Sequence, residues 1–283
     1  MNMSVLNRIF TRNMIYQFIN GEYCDAYNYA VNKLTTDYVD KKNKVIIEEF
    51  YNNLRKNYRN EYFYKNTLFN KLLLGVHSVN TTTGLTEVSI SKSKADFIMI
   101  NGKANVYEIK TELDNLERLK VQVLDYYKAF DYVTVVTYEN NLMNIQEIIR
   151  QLARPVGVRV IRKNGSIGEI KKAERYDDDL DKDVIFKILR KYEYESILNS
   201  YYGSIPEVSQ FDHYSVCRNM FYDIPLNVSY QLFLKVLKDR VDIDSNKLKM
   251  IPYELRFLAY FMDLSDSDFL KLNQFLECEY TGG

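Results

Sequence analysis

The chain has 283 residues, enough for one large domain or two small ones, and its 46% hydrophobic content can fill a core. Lys plus Arg and Asp plus Glu both number 38, so no global positive field draws nucleic acid, although a local basic patch remains open. The three cysteines (Cys24, Cys217, Cys278) form no zinc pattern and fit reduced thiols, and His77 and His213 are the only histidines, too few for histidine-based chemistry. No stretch reads as a leader or a membrane span, so the expectation is a soluble cytoplasmic protein with no membrane partner.

Residues 1–56 read as a helical extension, with Val5, Ile9, Ile15 and Phe18 and later Tyr27, Val31 and Leu34 at helical spacing. Arg59–Leu74 reads as another helix, carrying Glu61, Lys65 and Asn66 beside Phe63, Leu68 and Phe69. Between Asp40 and Leu74, eight Lys and Arg stand against four acids, interleaved with Tyr51, Tyr58, Tyr62 and Tyr64. Such a stretch can track a phosphate backbone and stack bases. A solvated helix face over buried tyrosines gives the same pattern. After Gly75 the chain is loop-like, and Glu87–Ser91 alternates as a short strand.

Ser93–Thr137 reads as strand, tight turn, strand, helix, strand, and it carries the chemistry. Alternation puts Asp96, Ile98 and Ile100 on one face of the first strand. On the second, read as Asn105–Glu112, it groups Val106, Glu108, Lys110 and Glu112. A two-residue turn at Asn101-Gly102 would send Asp96 and Glu108 to opposite faces, whereas a three-residue loop makes them face the same way. The helix is expected to start at Asp114 as N-cap, with Glu117 three residues on. Leu116, Leu119, Val123, Tyr127 and Phe130 form its buried stripe, and Arg118, Gln122 and Tyr126 step by four along its margin.

Downstream, Leu142–Leu152 is a helix stopped before Pro155, and Val156–Ile161 and Ser166–Ile170 are strands joined at Asn164-Gly165. This hairpin carries Arg159, Arg162, Lys163, Lys171, Lys172 and Arg175 against Glu169 and Glu174. It is a second candidate surface for nucleic acid, or simply a solvated rim. The run Asp177-Asp178-Asp179, with Asp181 and Asp183, lacks the spacing and glycine of an EF-hand and reads as a boundary. From Val184 onward helical periods are punctuated by Pro206, Pro225 and Pro252, with no chemical motif. The expected organisation is therefore a helical extension (1–56), a core (57–176) and a helical C-terminal domain (177–283). The last could serve a homodimer or a protein partner.

Asp96 followed by Glu108-Ile109-Lys110 resembles the core of the PD-(D/E)XK nuclease superfamily, with Ala95 where the pattern often has proline. Gln122 and Tyr126 resemble the QxxxY addition of its RecB-like branch, and the run from Glu108 to Val136 resembles a bacterial family within it. The resemblance covers about residues 57–175. It implies an α/β (α+β) restriction-endonuclease-like core, a mixed central sheet flanked by helices, with helical N- and C-terminal additions. It also implies a Mg²⁺- or Mn²⁺-dependent deoxyribonuclease in defence or DNA-end processing. Asp96, Glu108 and the Ile109 carbonyl would hold the metal, with Glu61, or alternatively Glu87, as a further acid. Lys110, Gln122 and Tyr126 would complete the catalytic set, and Arg59, Lys65, Lys94 and Arg118 would contact DNA. Two other readings use the same residues: a catalytically silent nuclease fold that binds nucleic acid or regulates, and an interaction module whose polar sheet face is merely solvated.

Overall fold

Six strands build one mixed sheet in the order β1-β2-β3-β4-β5-β6, and a computed structural model describes it within residues 3–282. β1 (Thr83–Ile90), β2 (Ser93–Ile100) and β3 (Ala104–Ile109) run antiparallel. β4 (Tyr132–Thr137) and β5 (Gly157–Ile161) continue parallel to β3, and β6 (Ile167–Lys171) closes the edge antiparallel. The expected class holds: an α+β chain with a mixed sheet flanked by helices and further helices at both ends.

Five helices precede the sheet: α1 (Leu6–Ile9), α2 (Arg12–Ile19), α3 (Asp25–Leu34), α4 (Asn43–Asn57) and α5 (Glu61–Leu68), the last continued by a π-helical turn over Phe69–Leu73. The crossovers between parallel strands are α6 (Leu119–Tyr127) and α7 (Leu142–Arg150). Seven more follow: α8 (Lys182–Ile188), α9 (Lys191–Tyr202), α10 (Gln210–Asp223), α11 (Leu226–Lys238), α12 (Ser245–Met250), α13 (Arg256–Tyr260) and α14 (Asp266–Glu277). Among the described residues no helix is long and apolar enough to cross a membrane.

The sheet separates two cores, as its strands alternate. Ile98, Ile100, Val106 and Val135 pack with α6, α7 and α8–α11. Phe97, Met99, Tyr107, Ile109 and Val136 pack with α2–α5 and α12–α14. The chain's first and last helices therefore share one core. Phe18 stacks on Phe275 with centroids 4.4 Å apart, and buried Asn43 donates to the Phe275 and Cys278 carbonyls at 3.1 Å. The boundary at 176/177 falls in the loop between β6 and α8.

Three local expectations are corrected. The strand read through Glu112 ends at Ile109, and α6 begins at Leu119 rather than after Asp114. The Asp114 carboxylate instead accepts from the Thr111 N–H at 2.8 Å and from its hydroxyl at 2.7 Å. Asp114 thus closes a turn behind itself, and its carboxylate faces Thr111 instead of the helix ahead. β1 also starts four residues earlier than the alternation of Glu87–Ser91 indicates.

Candidate active site

The hairpin register decides whether the two motif acids can meet. β2 and β3 pair Phe97 with Tyr107 and Ile100 with Ala104, leaving the three-residue loop Asn101-Gly102-Lys103. Gly102 takes φ +67°, a conformation that suits a residue without Cβ. Continuing this register places Asp96 opposite Glu108, as the odd loop requires. On its other side, Asp96 falls opposite Glu87, between the pairs Thr86–Phe97 and Val88–Ala95. Three acids therefore lie in one row across β1, β2 and β3.

Glu87 sits at φ +58°, left-handed backbone that costs a residue with a side chain about 1 kcal/mol or more. The flanking residues show the effect. Leu85, Val88 and Ile90 all reach the same core, so the strand's alternation shifts at Glu87. The helix before the sheet adds the fourth acid. Asn60 caps α5 by accepting from the Phe63 N–H at 3.1 Å, and Glu61 stands in the first turn. One carboxylate oxygen each from Glu61, Glu87 and Asp96 lie within 4.8 Å of one another. The sequence offered Glu61 and Glu87 as alternatives, and the structure brings both to Asp96.

Glu108 is held a little apart. Only 1% exposed, it accepts from the Tyr126 hydroxyl and pairs with the Lys110 ammonium at 2.9 Å. Lys110 in turn donates to Gln122 Oε1 at 2.8 Å. Gln122 and Tyr126, one turn apart on α6, thus reach the motif strand as their spacing indicates. The Asp96 carboxylate accepts the Ile109 N–H at 2.7 Å, which fixes it against the neighbouring strand.

Burial and the nearby Glu108 charge push Asp96 up to about 8, against the Ile109 N–H bond and the positive charge of Lys65. Burial also raises Glu108, partly offset by Lys110, Tyr126 and Gln122. For Glu87 burial acts upward too, but hydrogen bonds from Lys65 and Lys94 outweigh it and the net shift is downward. Two raised carboxyls would give any metal binding here a definite pH dependence. A divalent cation would take the ionised acids, so each binding event would expel the proton held at neutral pH. Mg²⁺ affinity is expected to climb by up to about tenfold per pH unit and level off as Asp96 ionises in the free protein. Calorimetric titrations in buffers of different ionisation heat measure the released proton directly, and an affinity flat from weakly acid to weakly basic pH contradicts it.

The basic residues read as DNA contacts divide. Lys65 is turned inward: its ammonium bridges Glu61, at 2.5 Å, and Glu87, with the side chain only 9% exposed. Burial acts to lower its pKa, but Glu61, Glu87 and Asp96 outweigh this and raise it. Lys65 therefore corrects the sequence expectation. At i+4 from Glu61 it belongs to the acid cluster and is no surface contact. Arg59 is likewise engaged, paired with Glu112 and donating to the Ile161 carbonyl at 3.3 Å. Lys94 is exposed but bonded to Glu87 at 2.7 Å. Arg118 is exposed, immediately before α6, and among the described residues it forms no ion pair.

The donor set fits a hard divalent cation. It consists of carboxylate oxygens converging from three elements, and the Lys65 ammonium already occupies the position of a positive charge among them.

Residues 54–251 match the family model described as Bacteriophage P4 protein cII. The chain belongs to that family. All the residues gathered at the site lie inside the matched span. A curated relative, protein cII of Enterobacteria phage P4, is 30% identical over 110 residues, which is 38% of this chain and 40% of that protein. The chain thus aligns with about two-fifths of that relative's length. No solved structure matches.

Proposed function

We propose that the chain is a Mg²⁺- or Mn²⁺-dependent nuclease that hydrolyses phosphodiester bonds of DNA, on a PD-(D/E)XK-like core with the QxxxY helix. The carrying observation is the convergence of Glu61, Glu87 and Asp96 beside a Glu108–Lys110–Gln122–Tyr126 network. Asp96, Glu61, Glu87 and Glu108, with the Ile109 carbonyl, would hold the metal. Bound there, it would activate water and offset charge on the phosphate. Tyr126 fixes Glu108 by hydrogen bond, and Gln122 and Glu108 hold the Lys110 ammonium as a point charge facing the substrate phosphate. Arg118, one turn ahead of Gln122, is exposed and, among the described residues, without an ion pair, so it would offer a cation to a neighbouring phosphate. Defence against foreign DNA or processing of DNA ends are the settings this reading suggests. A second copy or another protein would dock on the C-terminal helices, where Phe211 is 95% exposed beside exposed Tyr214.

The test compares wild type with Lys110→Ala on linear, circular and single-stranded DNA, with Mg²⁺, Mn²⁺ or EDTA. Cleavage should require the metal and fall by about a hundredfold or more in the folded variant. Cleavage that survives EDTA, or that Lys110→Ala leaves unchanged, counts against the reading.

One observation favours a second reading. The Lys65 ammonium already pairs with both Glu61 and Glu87. In a catalytically silent, nucleic-acid-binding or regulatory protein it would stay there permanently. Titration with Mn²⁺ separates the two, since the silent fold takes up none.

A further inference from the structure

The sequence shows two separate basic stretches, the first interleaved with tyrosines, and the fold brings them together at one place. Arg55 and Lys56 stand in the last turn of α4, and Arg59 begins the next segment. Lys163 stands in the turn between β5 and β6. These four cations and the segment Glu112-Leu113 line a notch of about 240 Å³. Arg59 ties its two sides together, since its guanidinium pairs with Glu112 while donating to the Ile161 carbonyl. That pair consumes the notch's acid. Arg55, Lys56 and Lys163 form no ion pair among the described residues, and Lys56 and Lys163 are exposed. Three uncompensated cations around a concave opening attract a polyanion more strongly than any single surface lysine.

The notch also has a fixed relation to the acids. Arg59 is two residues from Glu61, and Glu112 is two residues from Lys110, so each segment leads from notch to acid cluster within at most about 7 Å of chain. Leu113 is 60% exposed at the rim and gives a sugar or base an apolar contact.

We infer that this notch binds the phosphate backbone of the DNA strand one or two nucleotides from the bond held at the acid cluster. The inference rests on the nuclease reading for its direction, and its test does not need cleavage. A short fluorescein-labelled DNA is titrated in EDTA at several salt concentrations. The proteins are wild type, the double variant Lys56→Glu/Lys163→Glu, and Lys33→Glu, an exposed charge change on α3. Unfolding curves establish that each is folded. The double variant should bind at least about tenfold more weakly and lose about two units of salt slope, because two phosphate contacts are gone. Lys33→Glu should match wild type. A double variant that matches Lys33→Glu in affinity and slope overturns the inference, even if wild type cleaves DNA. Loss of binding without any metal-dependent cleavage would sustain the notch and remove the nuclease reading instead.

Discussion

Asp96→Asn is expected to abolish metal-dependent cleavage, by about a thousandfold or more, while making the metal-free protein more stable. The two effects have one cause. The half-buried Asp96 carboxylate lies between Glu87 and Glu108, with its pKa pushed up by partial loss of solvent and by Glu108. Asparagine has the same shape and keeps an oxygen for the Ile109 N–H, so the local geometry has no reason to change. What disappears is a charge that the apo fold holds at a cost. The sign follows from the raised pKa: below the ordinary carboxylate range both states are protonated and the variant gains nothing. As pH rises towards about 8 the unfolded chain ionises Asp96 freely and the folded one resists, so wild type loses stability that Asp96→Asn retains. Solvent reaches this half-buried site and screens most of that cost, so the gain at weakly basic pH should be at least about 1–2 kcal/mol, read from urea unfolding in EDTA. Adding Mg²⁺ should reverse the order, because wild type alone has the ligand. A variant that is both less stable and still active would mean that Asp96 is structural.

Lys65→Met should act in the opposite direction on both counts. The ammonium holds Glu61 and Glu87 together beside Asp96, and removing it leaves the two carboxylates facing each other with only Lys94, on Glu87, as counter-charge. Glu61 and Glu87 are about half exposed, so water screens part of the cost and about 1–3 kcal/mol is expected in EDTA. The same change removes the cation that competes for the acids. Mg²⁺ or Mn²⁺ should therefore bind at least about tenfold more tightly and raise the melting temperature by more than in wild type. If the variant is destabilised and divalent cations do not restore it, Lys65 is a permanent structural counter-ion. That outcome would favour the silent fold.

The hairpin was legible because its chemistry is local. Asn101-Gly102 marks a turn, and only an odd loop lets Asp96 and Glu108 share a face, which the pairing adopts. Gln122 and Tyr126 were legible because a four-residue step needs nothing but a helix. Lys65 was not. A Glu61-Lys65 pair at i,i+4 looks the same on any solvated helix, and only the fold shows that this face meets β1 and β2. Glu87 was legible as a candidate acid, but the start of its strand was not, because the left-handed backbone at Glu87 breaks the alternation used to find it. Asp114 misled because a capping box and a backward turn to Thr111 share one residue pattern. The shared core of the first and last helices depends on contacts such as Phe18 with Phe275, hundreds of residues apart, which no local period records.

Anomalous scattering from a crystal grown with Mn²⁺ asks directly whether these acids form a metal centre. The expected result is a peak bonded at about 2.1 Å to carboxylate oxygens of Asp96 and at least one of Glu61, Glu87 and Glu108, with the Lys65 ammonium displaced from the cluster. Lys65 still bridging Glu61 and Glu87 at saturating Mn²⁺, with no peak beside Asp96, would contradict it.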